Sequence, residues 1–315
     1  MRVAFLLSKH RAQCSGPRVF PSTSGRVPRC ALVLFAAAAC AFAQDSSDFK
    51  LEKVSAGHVF TEGPVWSRDG FLLFSDVPNN KILKFIPGKG TEVYRENTNG
   101  TNGNTLDAQG RLYSCESHTR RVVRISSKGK VDVLADKWNG KRLNAPNDIT
   151  VRKDGNIYFT DPAFGNQADT RELDFYGVYH ITPKGALELV AKPKGRPNGI
   201  ALSPNGRVLY VDNSDDRTVV AYDLDRSGTA SNERTIVSGI SGVPDGLRID
   251  EKGNLYIAAA GILVYSPEGK LLRTIEIPET PANCAFGDPD FKSLYITART
   301  SVYRVRLDVK GAVQY

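Results

Sequence analysis

A short motif that recurs along the chain constrains its fold more than any other feature. Pro146-Asn147-Asp148, Pro197-Asn198-Gly199 and Pro244-Asp245-Gly246 each place a proline before a short polar side chain, and an alternating apolar run follows each time. Equivalent polar residues begin six repeats, at intervals of 40, 45, 51, 47 and 38 residues. They are Glu62, Asn102, Asn147, Asn198, Asp245 and Asn283. A repeat of about 40–50 residues is typical of a four-stranded propeller blade.

Within each repeat, strand patterns alternate with turn residues. The fourth repeat, for example, has the turn Pro204-Asn205-Gly206 before the strand pattern Val208-Leu209-Tyr210-Val211-Asp212. Such Asn-Gly and Asp-Gly turns suit hairpins because glycine and asparagine tolerate positive φ. We therefore predict an all-β, six-bladed β-propeller with four-stranded blades.

Two segments stand outside the regular pattern. A strand pattern at residues 49–59 has no partner in the first repeat, so we predict that this N-terminal strand pairs with the last blade and closes the ring. The third repeat has a long insertion between Asp161 and Tyr176, which we expect to form a lid or rim on one face. No stretch of the chain has a convincing helix pattern.

The first 43 residues differ in character from the rest. They contain six cations and no Asp or Glu, so the formal charge falls from +8 for the whole chain to +2 without them, which argues against a nucleic-acid partner. Arg26 and Arg29 precede the apolar run of residues 31–40, which is too short to span a bilayer, and Ala41-Phe42-Ala43 resembles a cleavage site.

This pattern predicts a signal peptide at residues 1–43, followed by the propeller domain at residues 44–315. The protein would be secreted or periplasmic after cleavage near Ala43, with no membrane span. Lipid attachment at Cys40 is the alternative. Export permits a disulfide between the two later cysteines, Cys115 and Cys284, but their apolar surroundings favour two small buried side chains.

The repeated polar residues also indicate a binding site. The first strand of each propeller blade lines the central channel, so the residues just before these strands converge at one mouth. Each Asn or Asp alone would be an ordinary turn residue, but the turn of each repeat comes later, as at Asp154-Gly155. Oxygen donors without His or Cys favour calcium, then magnesium or manganese, over zinc or copper. We interpret one subset as a metal site: Glu62, Asn147, Asn198 and Asp245.

Four of these motifs resemble those of the family of gluconolactonase, senescence marker protein and luciferin-regenerating enzyme. They are Glu62-Gly63-Pro64-Val65-Trp66, Pro146-Asn147-Asp148, Pro197-Asn198-Gly199-Ile200 and Val243-Pro244-Asp245-Gly246. The resemblance implies a six-bladed propeller with one divalent cation on Glu62, Asn147, Asn198 and Asp245, with calcium favoured and magnesium, manganese or zinc as alternatives. It also implies hydrolysis of lactones or related esters, and some relatives cleave phosphotriesters.

The resemblance is incomplete where the substrate would bind. Some family members have an arginine two residues before the metal-binding asparagine, for recognition of sugar acids, and this chain has Ala145 there. The nearest candidates for substrate binding are Arg142 and Asn144. His118 lies in a loop that varies in gluconolactonase-type members, and it is either a proton shuttle at the mouth or a solvated loop residue.

A mechanism follows as a hypothesis. The cation would polarise the lactone carbonyl, and Asp245 would act as the base because calcium acidifies water less than zinc does. Glu62 would be mainly structural. Asp148, Asp161 and Asp212 lie near the mouth, as further cation contacts or as backbone caps.

We predict a metal-dependent lactonase that acts on a small-molecule lactone or ester. One alternative is a phosphotriesterase- or arylesterase-like hydrolase at the same site. The other is a non-catalytic ligand-binding propeller, but scaffold repeats of that kind usually carry Gly-His and Trp-Asp signatures, which this chain lacks.

Overall fold

Six antiparallel sheets of four strands are arranged around a central channel. This computed structural model describes residues 50–313, all of which belong to the unit Gln44–Tyr315. The prediction of an all-β, six-bladed propeller is confirmed. The predicted signal peptide, including Cys40, lies outside the described residues. No helix in residues 50–313 has the length and apolar character needed to cross a bilayer.

The blades follow one another along the chain, and each begins with its inner strand. Before blade 1 comes β1 (Glu52–Ala56). Blade 1 contains β2 (Thr61–Ser67), β3 (Phe71–Asp76), β4 (Lys81–Ile86) and β5 (Gly90–Glu96). Blade 2 contains β6 (Thr101–Leu106), β7 (Leu112–Glu116), β8 (Arg121–Ile125) and β9 (Val131–Ala135). A hairpin follows, made of β10 (Lys137–Trp138) and β11 (Lys141–Arg142).

The second half of the ring repeats this order. Blade 3 contains β12 (Ile149–Val151), β13 (Ile157–Asp161), β14 (Gly177–Ile181) and β15 (Leu187–Ala191). Blade 4 contains β16 (Pro197–Leu202), β17 (Val208–Asn213), β18 (Thr218–Leu224) and β19 (Ala230–Ser238). Blade 5 contains β20 (Leu247–Ile249), β21 (Leu255–Ala258), β22 (Ile262–Tyr265) and β23 (Leu271–Ile275). Blade 6 contains β24 (Pro281–Gly287), β25 (Ser293–Ala298) and β26 (Ser301–Arg306).

The ring is closed by the two ends of the propeller, as predicted. Blade 6 takes its fourth strand from the start of the domain, because β1 pairs with β26 in the order β1-β26-β25-β24. Glu52 on β1 faces Arg304 on β26, and the two side chains form an ion pair of 2.5 Å. The outer edge of β26 is therefore covered, and the first and last strands hold each other in place.

The core lies between neighbouring blades, where apolar side chains of adjacent sheets pack together. The inner strands contact one another in a complete ring, from β2 through β24 and back to β2. Trp66 of blade 1 stacks on Tyr295 of blade 6 with the ring centroids 5.4 Å apart. Cys115 and Cys284 are both free and buried, which confirms the expectation of two small buried side chains.

The predicted turn glycines have the required backbone conformation. Gly155 has φ +89° and Gly253 has φ +86°, a region that favours glycine because it has no Cβ. The inner strands β12 and β20 end just before such turns, so the turn chemistry sets where each inner strand stops. The six polar residues lie at or just before the starts of the inner strands, and therefore at the opposite end of the channel, which is called the site mouth below.

The insertion in blade 3 contains a short 3-10 helix, Gly165–Thr170, which the sequence pattern did not predict. A helix of this length is too short to show a recognisable apolar period. Gln167 donates to the backbone carbonyl of Ser117 (3.2 Å), and Arg120 contacts both Gln167 O (3.3 Å) and Thr170 Oγ1 (2.5 Å). The insertion therefore lies against the β7–β8 turn and forms part of the rim of the site mouth.

Candidate metal centre and active site

Glycine follows the polar residue in several repeats because neighbouring inner strands meet at this point. The backbone N–H of Gly199 donates to Asp245 O (2.7 Å), and that of Gly103 donates to Asn147 O (2.8 Å). A Cβ on Gly199 would lie 2.5 Å from Asp245 O, closer than any side chain tolerates. The small residue thus lets the starts of adjacent strands hydrogen-bond directly and brings their polar side chains together.

Glu62 is buried at the start of β2 and is held by two donors. Its Oε2 accepts hydrogen bonds from Gly63 N (2.7 Å) and from Asn283 Nδ2 (3.1 Å). The other side-chain atom of Asn283, Oδ1, accepts from Cys284 N (2.9 Å). Asn283 therefore presents its NH₂ group to Glu62 and acts as an orienting donor rather than as an oxygen ligand.

The side chain of Asn198 is oriented by the hydroxyl group of Ser214. The single hydroxyl proton of Ser214 is donated to Pro244 O (2.7 Å), so the hydroxyl oxygen can only accept from Asn198, at 3.1 Å. The NH₂ group of Asn198 must then face Ser214, which leaves Oδ1 as the outward acceptor. The same serine also holds the carbonyl just before Asp245, and so links two of the predicted ligands.

The backbones of Asn147 and Asp245 are fixed on both sides. Asn147 is buried, and its N–H donates to Thr160 O (2.9 Å) while its carbonyl accepts from Gly103 N. Asp245 is partly exposed, and its N–H donates to Ala258 O (2.9 Å) while its carbonyl accepts from Gly199 N. Each of these two side chains therefore projects from a rigid backbone.

The mouth contains more negative charge than its neighbours neutralise. Burial, with the nearby charge of Asp245, holds the pKa of Glu62 well above its usual range, and the same two causes raise the pKa of Asp212. Burial also raises the pKa of Asp245 to about 7, with a further contribution from Asp148. Asp148 itself forms an ion pair with Arg248 (3.0 Å). The other three carboxyl groups repel one another in a buried setting.

These features fit a hard divalent cation. Two buried oxygens at the mouth, Asp212 Oδ2 and Asn102 Oδ1, have no hydrogen-bond partner in the described part of the chain. Within residues 50–313, no three side chains of His, Cys, Asp and Glu are placed to hold a metal ion. A cation here would therefore need the amide oxygens as well, and mixed carboxylate and amide oxygens suit calcium or magnesium.

The three predicted substrate-binding residues have different surroundings. Arg142 is exposed and forms an ion pair with Glu172. Asn144 is fully buried, and its NH₂ group donates to Asp161 O (3.0 Å) and Phe175 O (2.9 Å), so it anchors the insertion. His118 is exposed at the β7–β8 turn. Contact of these side chains with a substrate stays a prediction.

The remaining carboxylates near the mouth have separate roles. Asp161 caps the backbone N–H groups of Asn144 and Ala145, both at 2.8 Å, and burial raises the pKa of Asp161 to about 7. Asp212 Oδ1 accepts a hydrogen bond from Gly199 N at 3.1 Å.

The sequence interpretation missed Arg248, the ion-pair partner of Asp148. The available signal was a charged residue in the middle of the buried inner strand β20.

A cavity of about 90 Å³ lies farther along the channel, beyond the site mouth. Arg248 lines it, together with Thr105, Thr150 and Ala201 from three other inner strands. None of the four predicted ligands lines this cavity. The convergent oxygens and the cavity are therefore separate features of one channel, and the Asp148–Arg248 ion pair connects them.

Residues 60–300 match the family model described as the SMP-30/Gluconolactonase/LRE-like region. The chain belongs to this family. The match covers all six polar residues that begin the inner strands, so the residues considered above lie within the family region.

Named relatives agree with this assignment. The gluconolactonase of Zymomonas mobilis is 34% identical over 294 residues, which cover 83% of this chain and 82% of the relative. The solved structure of gluconolactonase XC5397 from Xanthomonas campestris has a TM-score of 0.77 at 33% identity and covers 85% of this chain and 92% of that one. The solved calcium-binding protein regucalcin from Agrobacterium tumefaciens, at 18% identity and a TM-score of 0.72, shares the fold; the match covers 84% of this chain and 96% of that one.

Proposed function

We propose that this protein is a metal-dependent lactone hydrolase whose active site is the site mouth. The lactonases among its relatives support hydrolysis of a carboxylic ester as the reaction class. One structural observation carries the proposal for the site. Oriented oxygens from separate blades converge at this mouth, and two buried oxygens there, Asp212 Oδ2 and Asn102 Oδ1, have no hydrogen-bond partner in the described residues.

The proposed ligands of the cation are Glu62, Asn147, Asn198 and Asp245. When bound, the cation would supply a Lewis acid that polarises the lactone carbonyl. Calcium is favoured by the mixture of carboxylate and amide oxygens, with magnesium, manganese and zinc as alternatives. The regucalcin match supports the fold alone, so the choice of calcium rests on the donor chemistry.

The protein's own residues would orient the ligands and move the proton. Asp245 would accept the proton of the attacking water, because its carboxyl is partly exposed at the mouth and its backbone is held on both sides. Ser214 fixes the amide of Asn198, and Asn283 fixes Glu62. The proposed substrate contacts at the rim are the exposed Arg142 and His118, whereas the buried Asn144 would act by holding the insertion in place.

The test is hydrolysis of glucono-δ-lactone with and without EDTA, followed by addition of calcium. We expect EDTA to abolish hydrolysis and calcium to restore it. Asp245→Asn should lower the rate by about 10²-fold or more while the protein stays folded. The exposed Asp216→Asn, at the same mouth, is the matched control and should keep wild-type activity.

Each outcome bears on a different part of the proposal. Unchanged hydrolysis after complete removal of the metal would contradict the cation mechanism. Full activity of Asp245→Asn would contradict only the role of Asp245 as the base. An organophosphate tested in parallel, with and without calcium, distinguishes a lactonase from a phosphotriesterase, and failure on every ester would favour a ligand-binding propeller.

We also propose that residues 1–43 direct export. The basic flank, the short apolar run and the Ala41-Phe42-Ala43 site support this proposal. N-terminal sequencing of the protein recovered from the periplasm or the medium should begin at Gln44. A product that retains residues 1–43 and stays inside the cell would contradict it.

A further inference from the structure

Arg299 occupies a strained position in the turn between β25 and β26, at the site mouth. This turn consists of only two residues, Arg299 and Thr300. Arg299 has φ +47°, in the left-handed region that glycine adopts at lower cost than a residue with a long side chain. Asn80, Arg120 and Arg217 have a similar φ in the corresponding turns of blades 1, 2 and 4, so this conformation belongs to the blade turn, and the case for Arg299 depends on its surroundings.

The turn is held rigidly on two sides. The carbonyl of Arg299 accepts hydrogen bonds from the N–H (2.8 Å) and the hydroxyl (3.2 Å) of Thr61, the residue just before Glu62. On the other side, the N–H and the hydroxyl of Thr300 donate to Glu279 Oε2 at 2.9 and 2.8 Å. The turn is thus fixed directly to the segment that carries a predicted metal ligand.

Arg299 is exposed, and its guanidinium has no carboxylate within ion-pair distance in residues 50–313. Its nearest described contact is the ring of Phe60, at 5.8 Å. Two other arginines near the mouth differ in this respect, because Arg142 pairs with Glu172 and Arg196 pairs with Asp215. Phe60 and Thr61, which contact Arg299, immediately precede Glu62, so Arg299 lies beside the start of the inner strand β2.

We propose that Arg299 is a specificity-determining residue that binds an anionic substituent of the lactone. The inference rests on the proposed lactonase function and adds a substrate class, namely lactones with a carboxylate, sulfonate or phosphate away from the scissile ester. A guanidinium presents parallel donors that match such oxyanions in a bidentate arrangement. The rigid turn lowers the entropic cost of binding because the backbone of the donor is already in place.

The competing explanation is that Arg299 only offsets negative charge at the metal site. This explanation predicts a change in cation affinity that is the same for every substrate. Anion recognition instead predicts a change confined to anionic substrates. The two explanations can therefore be separated by a comparison of matched substrates together with a direct measurement of calcium binding.

The experiment measures kcat/KM of the calcium-loaded protein for glucono-δ-lactone, its 6-phosphate, and glucaro-1,5-lactone, which has a carboxylate at C6. Arg299→Gln removes the charge. Arg299→Gly removes the side chain and suits the positive φ, so this variant should be at least as stable as the wild type. Arg217→Gln is the matched control, because Arg217 is also exposed, with φ +54°, in the corresponding turn of blade 4.

We expect both Arg299 variants to lose about 10–100-fold in kcat/KM for the two anionic lactones, mainly through a higher KM, since a hydrogen bond to a charged group is lost. Glucono-δ-lactone hydrolysis and calcium affinity by titration calorimetry should change by less than about 2-fold, and Arg217→Gln should resemble the wild type.

Equal losses for neutral and anionic lactones, or a weakened calcium affinity that accounts for the loss, would overturn the proposal while the lactonase function stands. If the wild type hydrolyses glucono-δ-lactone but neither anionic lactone, the proposal is overturned as well. If the wild type hydrolyses none of the three, the proposed lactonase function itself has failed.

Discussion

Substitution of Ser214 by alanine should weaken cation binding without a direct change to any ligand. The hydroxyl of Ser214 donates to Pro244 O at 2.7 Å and accepts from Asn198 Nδ2 at 3.1 Å. Without the hydroxyl, the amide of Asn198 can rotate, and its Oδ1 is no longer held toward the axis. Loss of a group that orients a ligand typically lowers metal affinity by about 10–100-fold, or about 1.4–2.7 kcal/mol.

Ser117→Ala is a matched control that the propeller repeat itself provides. Ser117 donates to Pro146 O at 2.9 Å, just as Ser214 donates to Pro244 O, and each proline precedes a predicted ligand. Ser117 receives no hydrogen bond from Asn198 or from another predicted ligand in the described residues. Both variants leave one buried proline carbonyl without its donor, which costs about 1–3 kcal/mol.

The assay is calcium titration by calorimetry, with thermal unfolding of the calcium-free protein measured alongside it. Both variants should lower Tm of the calcium-free protein by a few degrees, and only Ser214→Ala should lower calcium affinity by about 10–100-fold. Equal calcium affinity in the two variants would refute the reasoning that Ser214 orients a ligand oxygen of Asn198. A loss of affinity in Ser117→Ala of the same size would show that the proline carbonyl matters instead.

Three further predictions concern the propeller. Gly199→Ala should lower the free energy of unfolding by about 1–3 kcal/mol in urea titrations, because the Cβ of the alanine would lie 2.5 Å from Asp245 O. Unchanged stability would contradict the close approach of blades 4 and 5. Burial alone would raise the pKa of Glu279, but hydrogen bonds from Thr300 and Tyr303 outweigh it and lower the pKa to about 2. Because this folded-state pKa lies below the ordinary value of 4.5, the ionised carboxylate stabilises the fold above pH 4.5, and this stabilisation is lost as the pH falls toward 2. Glu279→Gln should therefore lower the free energy of unfolding by about 1 kcal/mol at pH 7, after solvent screening, and by much less at pH 2. The measurement is Tm at the two pH values. Burial raises the pKa of the Cys284 thiol to about 12 and that of the Cys115 thiol well above its usual range. Neither thiol should therefore react with a thiol reagent at pH 8 until the propeller unfolds. Rapid labelling of the folded protein that begins at Gln44 would show instead that the thiols are accessible.

Much of the fold could be predicted from the sequence because a propeller is built from one repeated local pattern. Turn glycines such as Gly155 and Gly253 set where strands end. The alternating runs predicted after Asp148 and Gly246 are the inner strands at 149–151 and 247–249. The closing strand was also predictable, because an unpaired strand at the start of a ring has one open edge to join. The 3-10 helix in the insertion was not, because its six residues are too few for a period and its position depends on contacts with Arg120.

The number of blades and the positions of the polar residues at the starts of the inner strands follow from the amino-acid sequence alone. Each of these properties depends on residues that are close together in the chain and recur from repeat to repeat. The tertiary structure decided how each polar residue is used. Asn198 and Asn283 occupy equivalent places in the repeat, yet Ser214 turns the oxygen of one outward, while Glu62 draws the NH₂ group of the other. Ser214 follows Asn198 by 16 residues in the same blade, whereas Glu62 and Asn283 are 221 residues apart and come within hydrogen-bond distance only because the ring closes.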